Sequence, residues 1–398
     1  MRILVIAQTF PYPPDTGSRN VIIHWLQAIS GIHEVEFLSV DPSASGSESI
    51  PGLPRVRVIN AGQPPGNTIQ QRLIRLLSAV FKGIPAACLA GFSRDGIEFA
   101  ARIRRNGGYD VVVLPENATA GYASLLQGAV PILLYKHSVH AVDARDDRIR
   151  HGWFNPRWIL EAWIVERFES ATCRAADLIA TVNVEDAQVL EQRYRLKKKV
   201  EVIPIGADFG EFPPRAKDPG GWVIGFVGNL DWAANKDAVL WFARHVFPII
   251  CESCPNATFR VIGPGGSDLK KEIDDPRVIF TGRVPNVAQE LESVTVGVNP
   301  VISGTGVRFK LIEFLCVGLP AVTTSLGMLG TGAVHNEHLL VADGPSAFAR
   351  AVVMLLSNED LRARLSVNGQ KIAASLSWSS VFPKIRHAVA AAAGSSIG

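Results

Sequence analysis

The chain has 398 residues, of which 40 are basic and 37 acidic, so its formal net charge is only +3. Hydrophobic residues make up 47% and charged residues 19% of the sequence, a composition that excludes intrinsic disorder and is typical of a folded α/β protein. The length predicts two domains with separate cores, and the nearly balanced charge does not by itself indicate nucleic-acid binding.

The cysteines and the start of the chain bear on the compartment. The five cysteines are odd in number and scattered, which argues against a disulfide framework. Cys251 and Cys254 have the spacing of a metal or redox pair, but the sequence has no second such pair, so we interpret them as core or surface thiols. No apolar run in the sequence has the length of a membrane span, and Met1 leads directly into a strand-like segment rather than a signal peptide. We therefore expect a cytoplasmic protein.

Short apolar runs alternate with helix-period stretches in the first half of the chain. Runs of this kind form the strands of parallel sheets whose two faces are covered by helices. The runs are RILVIAQ (2–8), VEFLSV (35–40), DVVVLP (110–115), ILLYKH (132–137) and DLIATV (177–182). They predict a doubly wound domain over residues 1–205.

Two strand ends in this domain carry candidate functional residues. The loop PYPPDTGSRN (11–20) follows the first strand and places Gly17 where a helix begins. His137 ends a buried strand, and such strand ends face the ligand crevice of open α/β sheets. Both features also have structural explanations, because Pro and Gly are common in strand-to-helix turns and a single histidine usually serves packing.

An aromatic and basic stretch follows at residues 148–168. It contains three Trp and two Phe together with several Arg. This composition suits contact with a membrane surface, and it equally suits an amphipathic helix packed on the first domain. The sequence leaves both interpretations open.

The composition changes from Val200 onwards. Residues 200–221 include four prolines and four glycines, which predict a strand, a turn and a linker. The alternation of strands and helices then restarts, so a second doubly wound domain is predicted for residues 206–375. The remaining residues, 376–398, are predicted to form a mainly helical tail.

The first strand of the second domain leads into a glycine turn and a helix. In GFVGNLDWAANKDAVLWF (225–242), the backbone N–H groups around Gly228 are suited to phosphate oxygens. Lys236 is the nearby candidate cation. The alternative is structural: Asn235 and Asp237 would cap the helix, and Lys236 would be a solvated charge.

A second glycine segment lies at residues 303–306, where Gly304 and Gly306 flank Thr305. It leads into a helix that is predicted to start at Val307 and to be largely buried, because eight of the eleven residues 307–317 are apolar. Small residues let a ligand approach the backbone, and free N–H groups at a helix start attract phosphate.

Three charged residues interrupt this apolar helix. Arg308 falls in the predicted first turn, while Lys310 and Glu313 point in roughly the same direction. The set offers cations to a diphosphate and a carboxylate to two ribose hydroxyls. The alternative is that Lys310 and Glu313 pair with each other and that Arg308 is solvated.

The segment from Ser303 to Thr324 resembles the donor-site signature of retaining GT-B glycosyltransferases of family four, in the branch with a G-T-G-x-R/K-x-K pattern. The glycine turn at 228, the loop at 11–20 and the strand-end histidine resemble further parts of that family. The resemblance implies catalytic roles for His137, Arg308 and Lys310. It implies donor-binding roles for Gly17, Gly228, Asn229, Lys236, Gly304, Thr305, Gly306, Val307 and Glu313.

Three positions depart from the family pattern. Thr305 stands where many relatives have a first Glu, and Asn229 stands where many have an Arg. Leu329 replaces an acidic residue that holds sugar hydroxyls in many relatives. The departures leave neutralisation of the diphosphate to the remaining cations and leave the sugar undefined.

The resemblance implies a GT-B fold, in which two Rossmann-like doubly wound domains face a central cleft. The N-terminal domain would bind the acceptor, the C-terminal domain would bind the nucleotide sugar, and the terminal helix would pack back on the N-terminal domain. The implied reaction moves a sugar from a nucleoside diphosphate sugar to an acceptor hydroxyl with retention, in bacterial polysaccharide or glycoconjugate synthesis. No cofactor, metal ion or nucleic acid is expected.

The implied acceptor is a saccharide or a lipid-linked saccharide. A lipid-linked acceptor would bring the protein to the inner face of the plasma membrane as a peripheral protein. Two rival functions remain open: a catalytically silent GT-B-like binding subunit, and a sugar-nucleotide epimerase on the same scaffold.

Overall fold

The computed structural model describes residues 1–14, 16–41, 49–61, 83–306 and 308–394. The chain divides into two compact units. The first consists of Met1–Pro204 together with Val381–Gly398, and the second of Ile205–Ser380. The first unit is therefore discontinuous in sequence.

A seven-stranded sheet forms the centre of the first unit. Its strands are β1 (Arg2–Ala7), β2 (Glu34–Ser39), β3 (Val56–Asn60), β4 (Val111–Leu114), β5 (Ile132–Lys136), β6 (Leu178–Thr181) and β7 (Glu201–Val202). The strand order is β3-β2-β1-β4-β5-β6-β7, and the paired strands run parallel. Every residue of β4 and β5 is buried, as expected for strands covered on both faces.

Helices connect the strands of the first unit. They are α1 (Gly17–Ser30), α2 (Arg94–Asn106), α3 (Tyr122–Leu126), α4 (His140–Arg150), α5 (Pro156–Ala175) and α6 (Val184–Tyr194), with 3₁₀ turns at Ala86–Gly91 and Asn117–Thr119. The start of the long helix α5 is set by local sequence. The side chain of Asn155 accepts a hydrogen bond from the backbone N–H of Arg157 at 3.1 Å, and Pro156 occupies the first helical position.

A six-stranded sheet forms the centre of the second unit. Its strands are β8 (Val223–Val227), β9 (Thr258–Ile262), β10 (Val278–Gly282), β11 (Val296–Asn299), β12 (Ala321–Thr323) and β13 (Leu340–Val341). The order is β10-β9-β8-β11-β12-β13, and the pairings are again parallel. The two sheets confirm the prediction of two doubly wound parallel-sheet domains.

The helices of the second unit pack around a core rich in phenylalanine. They are α7 (Ala233–Trp241), α8 (Phe247–Ser253), α9 (Ser267–Glu272), α10 (Val287–Leu291), α11 (Phe309–Val317), α12 (Ser325–Met328), α13 (Pro345–Ser357) and α14 (Glu359–Ser375), with a π-helical turn at Phe242–Val246. Phe242 contacts Phe259 and Phe348 at ring-centroid distances of 4.5 and 5.9 Å. These contacts join helices to the centre of the sheet.

The last helix, α15 (Trp378–Ala392), contributes residues to both units. In the second unit the backbone N–H of Trp378 donates to the carbonyl of Ala207 at 3.4 Å. In the first unit Arg386 Nε donates to the carbonyl of Ala28 at 2.7 Å, and Ile385 is fully buried.

Two further features bear on the expectations from sequence. Within the described residues, no helix combines the length and the apolar character needed to cross a membrane. All five cysteines are free thiols; Cys251 is half-buried and Cys254 is buried.

Candidate functional site

The strand order of the second unit reverses between β8 and β11. Both strands are central and parallel, and the chain leaves them in opposite directions across the sheet. A reversal of this kind opens a crevice beyond the carboxyl ends of the strands, where open α/β sheets bind ligands. The glycine turn at 228 follows β8, and the glycine segment at 303–306 follows β11. The structure therefore brings the two predicted donor segments to one edge of one sheet.

The turn after β8 is tightly packed. The backbone N–H of Gly228 donates to the carbonyl of Ile262 at 2.9 Å, and a Cβ at this position would lie 2.8 Å from Asn235 Nδ2. Asn229 stabilises the turn through two hydrogen bonds. Its side-chain oxygen accepts from the N–H of Asp231 at 2.9 Å, and its backbone carbonyl accepts from Asn235 Nδ2 at 2.8 Å. Asn229 is therefore held by its own turn.

Helix α7 begins at Ala233 and has Trp232 as its cap residue, so the alternative in which Asn235 or Asp237 caps the helix is wrong. Lys236 lies in the first turn and forms an ion pair with Asp268, with Nζ 2.7 Å from Oδ2. This ion pair, which joins α7 to α9, was not predicted from sequence.

The segment after β11 needs glycine at two positions. Gly304 and Gly306 have φ of +88° and +82°, values that residues with a Cβ rarely adopt. The guanidinium of Arg308 turns back onto the same segment. Its Nη1 donates to the carbonyl of Thr305 at 2.9 Å, and its Nη2 donates to the carbonyls of Ser303 at 3.1 Å and Gly304 at 2.9 Å. The Arg308 guanidinium, which the sequence predicts to bind a ligand, therefore also holds the backbone of the glycine segment in place.

The helix start differs from the prediction. Helix α11 begins at Phe309, and Arg308 precedes it in an extended conformation with φ −91° and ψ 96°. Arg308 is thus the cap residue rather than a member of the first turn, because its backbone is extended while its side chain holds the loop. Val307, the predicted helix start and a predicted donor-binding residue, lies outside the described residues.

Lys310 is buried and bridges the two glycine segments. Its Nζ donates to Asn235 Oδ1 at 3.0 Å and lies 4.8 Å from the centroid of the Phe226 ring. Because Asn235 also donates to the carbonyl of Asn229, a chain of hydrogen bonds runs from the ammonium group to the glycine turn. Burial, together with the charge of Arg308, lowers the pKa of Lys310 to about 7.

Glu313 lies one helical turn beyond Lys310 and is half-buried. Burial raises its pKa to about 7, Glu211 adds to the shift, and Lys310 opposes it. Among the contacts of the described residues, no ion pair joins Glu313 to Lys310, so the simple pairing proposed as an alternative is not what the structure has. Asn235 and Glu211 are the neighbours that the sequence interpretation missed.

The first unit has an equivalent reversal of strand order, between β1 and β4. Gly17 is the first residue of α1, after the cap residue Thr16, whose Oγ1 accepts from the N–H of Arg19 at 3.5 Å. Glu116, which follows β4, is buried and holds the loop after β1. It accepts hydrogen bonds from Thr9 N at 3.0 Å and Thr9 Oγ1 at 2.9 Å, and burial raises its pKa.

His137 follows β5 on the same edge of the first unit's sheet. Its ring makes an edge contact with Tyr135 at 5.2 Å, and the backbone of Pro115 forms a hydrogen bond with the imidazole. Its Nε2 is buried and has no hydrogen-bond partner in the described structure. Burial, reinforced by the charge of Lys136, lowers the pKa of His137 to about 4, so the ring is neutral at pH 7.

A buried ion pair underlies this histidine. Lys136 Nζ lies 2.8 Å from Glu169 Oε1 and donates to Asn117 Oδ1 at 2.8 Å, and both charged side chains are almost completely buried. The Glu169 carboxylate also accepts from the backbone N–H groups of His140 and Ala141, at 2.9 and 3.0 Å, at the start of α4. The pair therefore fixes both ends of the turn that contains His137.

Possible metal ligands are dispersed. Within the described residues, no group of three or more His, Cys, Asp or Glu side chains could hold a metal ion. The donor segments carry the cations Lys236, Arg308 and Lys310 together with the carboxylates Asp231, Asp237 and Glu313, and Lys236 is paired with Asp268.

Two family models match the chain. The model described as Glycosyltransferase Family 4 matches residues 33–211, and the model described as glycosyl transferases group 1 matches residues 221–358. The second match contains both glycine segments and α11.

Curated relatives match parts of the chain. An uncharacterized 44.6 kDa protein in the cps region of Klebsiella pneumoniae is 27% identical over 33% of this chain and 37% of its own length. A D-inositol 3-phosphate glycosyltransferase of Corynebacterium urealyticum is 28% identical over 50% of this chain and 53% of its own length. A phosphatidyl-myo-inositol mannosyltransferase of Mycobacterium tuberculosis is 25% identical over 60% of this chain and 70% of its own length. The chain thus spans about a third to a half of the first two relatives.

Solved structures share the fold over nearly the whole chain. Sucrose-phosphate synthase from Thermosynechococcus elongatus has a TM-score of 0.75 at 16% identity and covers 97% of both chains. Anabaena HepE, in complex with UDP and glucose, has a TM-score of 0.67 at 16% identity and covers 98% of this chain and 100% of its own. The chain therefore has a GT-B fold. Its first unit corresponds largely to the match with Glycosyltransferase Family 4, and its second unit to the match with glycosyl transferases group 1.

Proposed function

We propose that the chain is a glycosyltransferase that moves a sugar from a nucleoside diphosphate sugar to an acceptor hydroxyl. The observation that carries the proposal is the cluster at the strand-order reversal of the second unit. There the buried ammonium of Lys310 is tied through Asn235 to one glycine segment, and Glu313 follows one turn later. The Anabaena HepE structures contain UDP or UDP-glucose, which supports a nucleotide-sugar donor.

The proposed donor site divides the nucleotide between the two glycine segments. The backbone N–H of Asn229 and those at residues 304–306 would receive diphosphate oxygens, because the neighbouring glycines leave the backbone open to close approach, whereas the N–H of Gly228 is already bonded to the carbonyl of Ile262. Glu313 would accept hydrogen bonds from the two ribose hydroxyls. Lys236 would reach the diphosphate only by leaving Asp268, so Lys310 is the principal cation of the proposal.

The proposed chemistry depends on charge that develops in the leaving group. As the bond between sugar and diphosphate breaks, negative charge grows on the phosphate oxygens, and a cation already in place stabilises that charge more than it stabilises the ground state. Lys310 supplies this charge, and Arg308 holds the glycine segment in shape. We propose that the reaction proceeds with retention and needs no divalent ion, with the neutral imidazole of His137 contacting the transferred sugar.

The acceptor is proposed to be a saccharide or a lipid-linked saccharide in polysaccharide or glycoconjugate synthesis. The similarity to a protein in a cps region supports this setting. Two other relatives are named for D-inositol 3-phosphate and phosphatidyl-myo-inositol, so inositol phosphates belong among the acceptors to be tested. A lipid-linked acceptor implies contact with the inner face of the plasma membrane.

The test is donor turnover by the purified protein with a panel of UDP-, GDP- and dTDP-sugars, measured as release of free nucleotide with and without acceptors. Lys310→Ala and Glu313→Ala are each expected to reduce turnover by about tenfold or more, because each removes a donor contact. The matched control is Lys371→Ala, an exposed lysine on α14, which should retain wild-type turnover.

The outcomes distinguish the rival functions. Wild-type turnover in both donor-site variants would reject the site. An epimerised donor without release of nucleotide would indicate a sugar-nucleotide epimerase, and donor binding without any turnover would indicate a silent binding subunit.

A further inference from the structure

Helix α5 exposes one long stripe of side chains to solvent. Its opposite face is buried in the first unit through residues such as Val165 and Glu169. At about 100° per residue, the exposed positions Leu160, Trp163, Arg167 and Arg174 lie within one narrow sector of the helix. These positions span roughly 21 Å along the helix axis at about 1.5 Å per residue. The stripe changes in character from one end to the other.

The N-terminal end of the stripe is apolar and aromatic. Trp163 is 54% exposed and Leu160 is 41% exposed, and the turn before the helix adds Phe154, which is 86% exposed, and Trp153, which is 45% exposed. Large apolar side chains that are this open in one short segment mark an interaction surface more often than isolated ones do. The guanidinium of Arg167 lies 4.8 Å from the ring centroid of Trp163, so a cation sits directly beside the exposed indole.

The C-terminal end of the stripe is cationic. Arg174 lines a cavity of about 210 Å³ together with Arg195, Lys197 and Lys198, which follow the end of α6. None of these four cations forms an ion pair with a carboxylate among the described residues. Arg174 and Lys198 also donate to the carbonyls of Tyr194 and Ala176, near the C-termini of α6 and α5. The cavity therefore concentrates positive charge that no acidic side chain of the described structure neutralises.

We propose that this stripe docks the first unit onto an anionic phospholipid bilayer. The aromatic and apolar side chains would enter the boundary between headgroups and acyl chains, and the cationic cavity would receive lipid phosphates. The inference extends the proposed membrane contact of a transferase by naming the surface and the lipid charge that it needs.

Charge complementarity selects a bilayer over a second copy of the chain. Trp, Leu and Phe at one end with Arg and Lys along the rest is the composition of helices that lie in a lipid interface. An exposed cation near an anionic lipid surface strengthens association, and this contribution weakens with salt. A self-complementary contact over the whole stripe would place Arg167 of one copy beside Arg167 of the other and would leave the cationic cavity without an anionic partner.

The test is flotation of the full chain with vesicles of phosphatidylcholine alone and of phosphatidylcholine with phosphatidylglycerol, in the absence of any sugar donor. Wild-type protein should float with the anionic vesicles and lose binding at high salt. The double variant Arg195→Glu with Lys197→Glu and the double variant Phe154→Ser with Trp163→Ser should each lower the bound fraction by about tenfold.

The matched control reverses two exposed cations elsewhere in the first unit, Arg105→Glu with Lys384→Glu, and should float like wild type. Nucleotide release from the donor, measured on the same samples without lipid, should be unchanged in all variants, so that the docking surface and the proposed transferase activity can fail separately. Equal binding to neutral and anionic vesicles, or no flotation at all, overturns the proposal. A wild-type dimer that the Phe154 and Trp163 substitutions convert to a monomer, without vesicle binding, assigns the surface to self-association instead and likewise overturns it.

Discussion

Lys310 and Glu313 have pKa values that burial displaces towards each other, to about 7 in both cases. Burial disfavours the charged form of each group, and neither recovers a direct ion pair with the other. An amine in this state is poised to accept a proton when a ligand brings negative charge to it. The hydrogen bond to Asn235 and the ring of Phe226 keep the amine in place.

Donor binding is therefore expected to take up a proton at pH 8. The free protein has Lys310 mostly neutral above its pKa of about 7, and a bound diphosphate would raise that pKa and protonate the amine. Calorimetric titrations with a nucleoside diphosphate, in buffers of different ionisation enthalpy, measure this uptake. Lys310→Arg retains the charge at every pH and should bind without uptake, so identical proton uptake by the variant and the wild type would reject the assignment.

The turn between β5 and α4 is held to α5, because the carboxylate of Glu169 in α5 binds both Lys136 and the first N–H groups of α4. Burial disfavours both charged forms, but the partner outweighs burial in each case: the pKa of Glu169 is lowered and that of Lys136 is raised. Removal of one partner leaves the other charge buried without compensation, which costs about 3–5 kcal/mol. The same turn carries His137 and His140, whose pKa values burial lowers to about 4.

The buried histidines of this turn are expected to make the stability of the first unit sensitive to acid. Both histidines have folded pKa values of about 4, against the ordinary histidine pKa of 6.5, so the unfolded state binds more protons between these limits. The free energy of unfolding should therefore fall as the pH drops from 6.5 to 4, by roughly 5 kcal/mol for the two histidines together. The lowered pKa of Glu169 adds a further loss at lower pH, while the raised pKa of Glu116 acts in the opposite direction.

Urea unfolding at a series of pH values measures this dependence. The double variant His137→Asn with His140→Asn should have a shallower slope, whereas His245→Asn, an exposed histidine in the second unit, should retain it. A wild-type slope that is flat or reversed between pH 6.5 and 4 would contradict the prediction.

At the scale of the whole molecule, the first unit is completed by the end of the chain. Residues 381–392 of α15 contribute buried side chains to it, among them Val381, Ile385 and Val389, and Arg386 donates to the carbonyl of Ala28 in α1. The unit cannot form its full core until the second unit's sequence has been made, because that sequence lies between its two parts.

Ile385→Ala is therefore expected to destabilise the first unit by about 2–5 kcal/mol, since it removes a fully buried side chain. Hydrogen exchange of the β1 and β4 amides, measured by mass spectrometry, reports the loss within this unit. Lys384→Ala alters the preceding, exposed position of the same helix and should leave exchange unchanged. Protection in β1 and β4 that survives Ile385→Ala would show that α15 is dispensable for the first unit.

Local patterns in the sequence were sufficient for the fold class and for the position of the glycine segments. Apolar runs covered on both faces predict parallel strands, and a glycine that follows such a run predicts a turn at the carboxyl edge. The helix start at Phe309 was misplaced by two residues, because the apolar periodicity continues through Val307 while the backbone at Arg308 is extended.

Only the tertiary structure decided which partners the charged side chains have. Lys310 donates a hydrogen bond to Asn235, which is 75 positions away in the sequence, and Lys136 pairs with Glu169 although a whole helix lies between them in the sequence. These distant residues become neighbours only when the chain folds. Arg308 turns back to three carbonyls of its own loop, a choice that depends on the positive φ angles of Gly304 and Gly306. Periodicity is a property of neighbouring residues, whereas desolvation and hydrogen bonding depend on whatever the folded sheet places nearby. For this reason the sequence determined the sheets and the donor segments, and the fold determined the charge state of the residues within them.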